Sequence, residues 1–217
     1  MGKIVTMTSS SVESPELEQV RRRVLLALFV ALAVALHTVE VLLPNPVPWF
    51  RIGLANILAL TALFSYGIQA LWIVSISRIL IGSLLLGSLF SPGFLLSLGG
   101  GLVATSLMSA SYKLWQGKIG PVGVSVVGAL GHVSGQLLIA WLVVIRHPSI
   151  WMLLPFFLLF ALISGIVNGL AADYLLESLY RHPVFSRLKN KSVGEGALTF
   201  QEETDQENST LKVTEGQ

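Results

Sequence analysis

The stretch VLLALFVALAVALHTVEVLL, Val24 to Leu43, is twenty residues long and contains one formally charged side chain, Glu40. At a rise of 1.5 Å per residue, an α-helix of this length spans about 30 Å, the thickness of the hydrocarbon core of a bilayer. Three arginines at residues 21–23 stand directly before it. A cleaved signal peptide has a similar basic start, but its apolar core is shorter and further apolar segments do not follow it. The stretch therefore predicts a retained transmembrane helix.

The rest of the chain repeats this pattern. Of the 217 residues, 53% are hydrophobic and 12% are charged, which is too little charge to cover the surface of a soluble domain of this length. Apolar segments predict five more spans, at residues 52–66, 68–89, 94–112, 122–145 and 151–176. The second of them is short, at roughly 22 Å. We therefore predict an all-α, polytopic membrane protein with a bundle of six transmembrane helices.

Polar segments flank the predicted bundle. Residues 1–20 are rich in Ser and Glu, and the chain from residue 181 onward is first basic and then acidic. Segments of this composition bury too little apolar surface to fold. We predict a disordered tail at 1–20, one membrane domain at 21–180 and a disordered tail at 181–217.

Basic residues at the ends of the predicted spans indicate the orientation of the bundle. Nine of them fall on one side of the membrane: Arg21, Arg22, Arg23, Lys113, Lys118, Arg181, Arg187, Lys189 and Lys191. Only Arg51 and Arg146 fall on the other side. Because cytoplasmic loops carry the excess of Lys and Arg, we predict that both termini are cytoplasmic. The basic residues thus reflect topology and do not indicate nucleic-acid binding.

Several classes of function find no support in the sequence. The chain has no cysteine, which excludes disulfides, thiolate catalysis and Cys-based zinc sites. It has no Walker A motif, so any ATPase must be a separate protein. It has no DDxxD motif, and Asp173 is the only aspartate before the C-terminal tail. We expect no catalytic residue, no metal and no cofactor.

Polar side chains inside the predicted spans are the candidates for a binding site. Arg78 falls near the midplane of the third span, where an unpaired cation costs at least ~2.5 kcal/mol, so it should face the bundle interior or water. Five more candidates lie at mid-depth or in the outer half: His37, Glu40, Asn56, His132 and Gln136. Their convergence would form a pocket open to the outside. The last candidate, Arg51, directly precedes the second span. In the alternative interpretation these groups satisfy one another, with Arg78 pairing to Glu40 or to a helix carbonyl.

Small residues at helical spacing indicate close contacts between helices. They are Ala27, Ala31 and Ala35 on the first span, Ser97, Gly101, Thr105 and Ser109 on the fourth, Gly131 and Gly135 on the fifth, and Gly165 and Gly169 on the sixth. Such faces let backbones approach where lipid offers no hydrophobic force. For the fourth to sixth spans we predict packing within the chain.

The stretch LLPNPVPWFRIGLANI, residues 42–57, joins the first two spans. Its three prolines favour a stiff, extended path. Trp49 and Phe50 are typical of the headgroup level of a membrane. With Asn56 about one turn deeper than Arg51, we interpret the segment as a semi-rigid flap over the candidate pocket, and a plain loop is the alternative.

Three segments together resemble a known bacterial membrane family. They are LLPNPVPWFRIGLANI at 42–57, SRILIGSLLLGSLFSPGFLLSLGGG at 77–101 and GPVGVSVVGALGH at 120–132, and the resemblance covers roughly Val24 to Leu176. The family is called the Gx transporter family, and its members are also labelled heptaprenyl diphosphate synthase component I. Trp49 and Phe50 depart from it, because a small residue and often Lys are expected before Arg51.

That family is similar to the S components of energy-coupling factor transporters, which have six helices and cytoplasmic termini and bind substrate near the outer side. The resemblance implies a substrate-binding subunit of a small-molecule importer in the bacterial inner membrane. It also implies a transmembrane coupling subunit and separate ATPases as partners. S components dock on that subunit through an AxxxA face, which Ala27, Ala31 and Ala35 match. Arg78 and Arg51 would favour an anionic substrate.

Two other functions stay open on the sequence. The second family label implies a membrane accessory subunit of prenyl diphosphate synthesis. It would be non-catalytic, since a prenyltransferase needs aspartate clusters to hold Mg²⁺ against a diphosphate. The remaining alternative is a membrane scaffold that binds no ligand.

Overall fold

The computed structural model describes residues 15–42, 53–115 and 118–181. Within them lie six α-helices: α1 (Pro15–Leu42), α2 (Leu54–Tyr66), α3 (Ile68–Leu85), α4 (Pro92–Leu114), α5 (Pro121–Ile139) and α6 (Leu154–Arg181). A π-helical turn (Ala140–Ile145) prolongs α5, and a 3-10 segment (Pro148–Leu153) leads into α6. The predicted all-α bundle is confirmed, and these ranges contain no strand.

Five described segments are long and apolar enough to cross a bilayer: Gln19–Leu42, Ile68–Leu85, Pro92–Leu114, Pro121–Ile145 and Pro148–Arg181. The chain is therefore a multi-pass membrane protein. The sixth helix, α2, has 13 residues and is about 20 Å long. The proline stretch at 43–52, with the predicted flap, the aromatic pair Trp49 and Phe50, and Arg51, lies outside the described residues.

Several helix boundaries differ from those predicted, among them the starts of α1 and α4. α1 begins at Pro15, inside the stretch where the sequence predicts a tail, because proline suits the first helical position and the glutamates that follow favour a helix N-terminus. α4 begins at Pro92, with Ser91 as its N-cap: Ser91 Oγ accepts a hydrogen bond of 3.1 Å from the Phe94 N–H. Pro92 and Gly93 thus belong to the helix, which the sequence predicted to begin at residue 94.

Contacts between residues near the helix ends show the directions in which the helices run. His37 of α1 lies against Gly82 of α3, and Trp72 Nε1 of α3 donates to Ser109 Oγ of α4 over 3.1 Å. Successive helices therefore run antiparallel. We call the end where α1, α3 and α5 finish the cavity end, and the opposite end, which carries residues 21–23 and Arg181, the basic end. That the basic end faces the cytoplasm stays a prediction.

The short helix α2 lies in the centre of the bundle. It packs against α1, α3, α5 and α6, and its buried residues are Ala55, Leu58, Ala59, Leu60, Thr61, Ala62 and Leu63. A helix that is apolar all round is a helix enclosed by protein. Because other helices surround it, α2 does not need the full thickness of the bilayer.

The C-terminal end of α2 is satisfied by side chains from two other helices. Arg22 Nη2 of α1 donates to the Tyr66 carbonyl over 3.2 Å, and the Tyr180 hydroxyl of α6 donates to the Phe64 carbonyl over 3.4 Å. The single residue Gly67, with φ of 86°, connects α2 to α3. The last carbonyls of a helix have no partner within the helix, and these two side chains supply donors for them.

Glycines set the close approach of α4, α5 and α6. A Cβ added at Gly135 would lie 2.9 Å from Val103 Cγ2 of α4. One added at Gly165 would lie 2.9 Å from the Val126 Cα of α5, a backbone atom. Such distances leave no room for a side chain. The predicted packing of these small-residue faces within the chain is confirmed.

A candidate ligand cavity

A cavity of about 120 Å³ lies inside the bundle toward the cavity end, and all six helices contribute to its lining. Six of the seven ligand-binding candidates predicted from the sequence line it together: His37, Glu40, Asn56, Arg78, His132 and Gln136. The seventh, Arg51, lies outside the described residues. The helix faces thus meet where the polar pattern predicted, and the role of these residues in binding stays a prediction.

Three ionisable side chains of this group are deeply buried. The exposed fraction of Arg78 is 8%, that of Glu40 is 5% and that of His37 is 7%. Charged side chains are almost never this buried unless protein groups or a ligand hold them. All three interact with neighbouring protein groups, so the cavity presents fixed polar groups.

Glu40 connects the cavity to the central helix. Its Oε1 accepts a hydrogen bond from the Leu54 N–H in the first turn of α2, where Gly53 is the N-cap with φ of 82°. A carboxylate suits this position, because the N-terminus of a helix carries a partial positive charge. Glu40 therefore stabilises α2 in addition to lining the cavity.

Replacing Glu40 with leucine should lower the free energy of unfolding by about 1–3 kcal/mol, because the partly buried Leu54 N–H loses its acceptor. Glu40→Gln keeps an oxygen at that position and should lose less. The unfolding temperature of the purified protein in detergent measures both, with Thr38→Ala on the same helix as the control. Equal losses for the leucine and glutamine variants would contradict this role of Glu40.

Two glycines make room for the histidines of the cavity. A Cβ at Gly82 would lie 2.6 Å from His37 Cδ2. A Cβ at Gly100 would lie 2.6 Å from Gln136 Cγ and 2.8 Å from the His132 carbonyl oxygen. α1 and α5 can therefore bring their polar side chains close to α3 and α4 only because these positions have no side chain.

The structure adds polar residues that the sequence prediction missed. Asn168, Ser164 and Ser97 also line the cavity, and Asn168 Nδ2 donates to Ser164 Oγ over 3.2 Å. Asn168 was not among the seven candidates predicted from the sequence. Its position within an apolar span is the same signal that identified Asn56 and Gln136, and it would have placed Asn168 in the site.

One wall of the cavity is apolar. Leu96, Leu137, Ala140 and Ile150 form a buried cluster against which Phe157 packs, and all five residues line the cavity. Ala140 begins the π-helical turn, and Ile150 belongs to the 3-10 segment. π-helical turns are rare and often occur at functional sites. The lining thus combines polar side chains from α1, α2, α3, α5 and α6 with an apolar cluster from α4, α5, the 3-10 segment and α6.

The alanines of α1 lie away from this cavity. Ala27, Ala31 and Ala35 are exposed and line a lateral groove between α1 and α3 together with Ile73 and Leu85. They make no tight contact within the bundle, which differs from the glycine faces of α5 and α6. Their predicted role as a partner-helix interface stays a prediction.

The described residues contain no group of three or more His, Asp or Glu side chains that could hold a metal ion. Glu177 is exposed and pairs with Arg181 over 2.7 Å, and Asp173 is exposed on the same helix. These acidic residues lie near the basic end, far along α6 from the cavity.

A family model described as heptaprenyl diphosphate synthase component I matches residues 29–175, which is more than half of the chain. The match extends from α1 into α6 and includes every residue that lines the cavity. No curated protein and no solved structure matches the chain.

Proposed function

Given that the chain belongs to the family described as heptaprenyl diphosphate synthase component I, we propose that it is a substrate-binding membrane subunit of a small-molecule transporter and not a catalytic synthase subunit. The observation that carries this proposal is the convergence of six polar side chains on one cavity inside an apolar bundle. The similarity to S components and to the Gx transporter family is part of the same proposal.

The cost of these polar groups favours a ligand-binding role over a scaffold. A buried arginine and a buried carboxylate contribute little to stability, since apolar residues of similar volume are often as stabilising or better. Ionisable residues within membrane spans usually mark substrate or ion sites. A scaffold would need none of these six polar side chains, whereas a pocket that recognises a solute needs several polar groups.

The residues that line this cavity do not fit the chemistry of a prenyl synthase. Glu40 is the only acidic residue among its lining residues, and it is hydrogen-bonded to α2. A diphosphate bound through Mg²⁺ requires several carboxylates. The family description still gives an accessory role as the second candidate. It predicts that the purified protein changes the product length or the rate of a partner synthase, and no change in either would exclude it.

Transport would use the cavity end as the outer face, in line with the positive-inside rule. The chain has no Walker A motif, so energy would come from separate ATPases acting through a transmembrane coupling subunit. The exposed alanines of α1 are our candidate for the surface that contacts this subunit. Membrane insertion with both termini in the cytoplasm of a bacterial cell is part of the proposal.

Arg78→Gln and Gln136→Leu should each weaken ligand binding by at least about tenfold, because each removes a hydrogen-bonding group from the cavity. Native mass spectrometry of the purified protein measures the occupancy of the co-isolated ligand, and cellular uptake of that ligand gives the second readout. Matched controls are Ser77→Ala on α3 and Ser134→Ala on α5, which do not line the cavity.

The same variants distinguish a transporter subunit from a scaffold that binds no ligand. A scaffold predicts that Arg78→Gln lowers the abundance of the protein in the membrane and changes no binding activity. Normal abundance with lost occupancy and uptake supports the transporter proposal. Absence of any bound ligand and of any coupling subunit in the wild-type preparation would contradict it.

A further inference from the structure

From the shape and chemistry of the cavity we infer the class of ligand: a compact anion with an apolar body, such as a small aromatic or branched carboxylic acid. This inference rests on the proposed binding function of the same cavity. It excludes two other classes, namely long-chain prenyl diphosphates and solutes that are polar on every side.

The polar side of the cavity favours a negative group. Arg78 carries a full positive charge and five N–H donors, so it can contact a protein group and still donate to a ligand. The charge of Glu40 is offset by the N-terminus of α2, which carries a partial positive charge of about one half. Asn56 and Gln136 add amide donors. The sum of these groups is a donor-rich, weakly positive surface that suits a carboxylate.

The apolar part of the lining favours an apolar body. Leu137, Ala140, Ile150 and Phe157 belong to one hydrophobic cluster and present only carbon atoms from their side chains. A ligand that is polar on every side would lose hydrogen bonds to water here without replacing them. An acid whose body is apolar can place its head near Arg78 and its body against this cluster.

The volume of the cavity limits the size of the body. About 120 Å³ is slightly less than the roughly 150 Å³ of an engineered apolar cavity that binds benzene. A single aromatic ring or a short branched chain with a carboxylate is therefore near the upper limit. Since the six carbons of benzene occupy an engineered cavity of roughly 150 Å³, the seven five-carbon units of a heptaprenyl chain exceed this cavity severalfold.

Titration calorimetry of the full-length protein in lipid nanodiscs tests this class directly. The probes are benzoate, phenylacetate and isovalerate as compact acids, benzamide as the neutral isostere of benzoate, and geranylgeranyl diphosphate as the long-chain anion. We expect at least one compact acid to bind, benzoate to bind at least about tenfold more tightly than benzamide, and geranylgeranyl diphosphate not to displace it. Arg78→Gln should remove the preference for benzoate over benzamide.

Any of three results would overturn the inference: no binding by any compact acid, equal binding of benzoate and benzamide, or displacement by the long-chain diphosphate. The identity of the co-isolated ligand and its uptake by cells distinguish a wrong ligand class from a wrong proposed function. A bound and transported ligand that is large or cationic overturns the class and leaves transport standing. Binding of compact acids without uptake in cells overturns transport and leaves the class standing.

Discussion

Replacing Gly169 with alanine should lower the free energy of unfolding by about 1–3 kcal/mol, an effect typical of overpacked cores. The added Cβ would lie 2.5 Å from the Val122 Cα and 3.1 Å from the Ser125 Cβ. The first of these is a backbone atom, so the contact can be relieved only by moving α6 away from α5. Thermal unfolding of the purified protein measures the loss, which for a chain of this size corresponds to a drop of roughly 2–12 °C.

Gly120→Ala is the matched control for this variant. A Cβ at Gly120 meets no atom within 4 Å, and its φ of −66° suits any residue. The control should unfold within about 1 °C of the wild type, since surface changes have little effect on stability. If Gly169→Ala were as stable as Gly120→Ala, the close packing of α5 on α6 would not be the contact that holds this half of the bundle.

Replacing Gly100 with alanine should weaken ligand binding with a smaller loss of stability. Its Cβ would lie 2.6 Å from Gln136 Cγ, a movable atom, and 2.8 Å from the His132 carbonyl oxygen, a fixed one. Relief of the contact must displace the two cavity residues of α5 together. We expect a loss in affinity of at least about tenfold, measured by calorimetry with the ligand that co-isolates with the wild type.

Gly93→Ala controls for a changed glycine on the same helix. A Cβ there has its nearest contact at 3.8 Å, to Ser91 Oγ, which is ordinary van der Waals distance. This variant should bind as the wild type does. Unchanged affinity in Gly100→Ala would show that His132 and Gln136 are not part of the binding surface, and the lining by α5 would then have no role in recognition.

Most of the fold could be predicted from the sequence, because membrane spans follow from length and hydrophobicity alone. The short helix α2 was predicted as a span. Its enclosure by four other helices was not predicted, because hydropathy does not distinguish a lipid-facing helix from a buried one. The early start of α1 at Pro15 was missed because charged residues in the first turn conceal a helix from hydropathy.

The candidate cavity was predicted through one physical rule, that polar side chains avoid lipid. The rule brought together Arg78, Asn56 and the others on separate helices without any knowledge of their contacts. It could not predict the hydrogen bond between Glu40 and Leu54, which depends on where α2 begins. It also could not predict the apolar wall around Ile150, because apolar residues near a cavity look the same in sequence as those that face lipid.

The way α2 is held has a consequence for how the protein is made. The N-terminus of α2 is hydrogen-bonded to Glu40 of α1, which is synthesised before it. One of its C-terminal carbonyls, that of Phe64, accepts from Tyr180, which lies 116 residues further along the chain. During translation α2 is thus synthesised early, and its hydrogen bond to Tyr180 can form only after α6 has been synthesised. Because α6 is one of the four helices that pack against α2, this short helix is fully enclosed only once α6 has inserted.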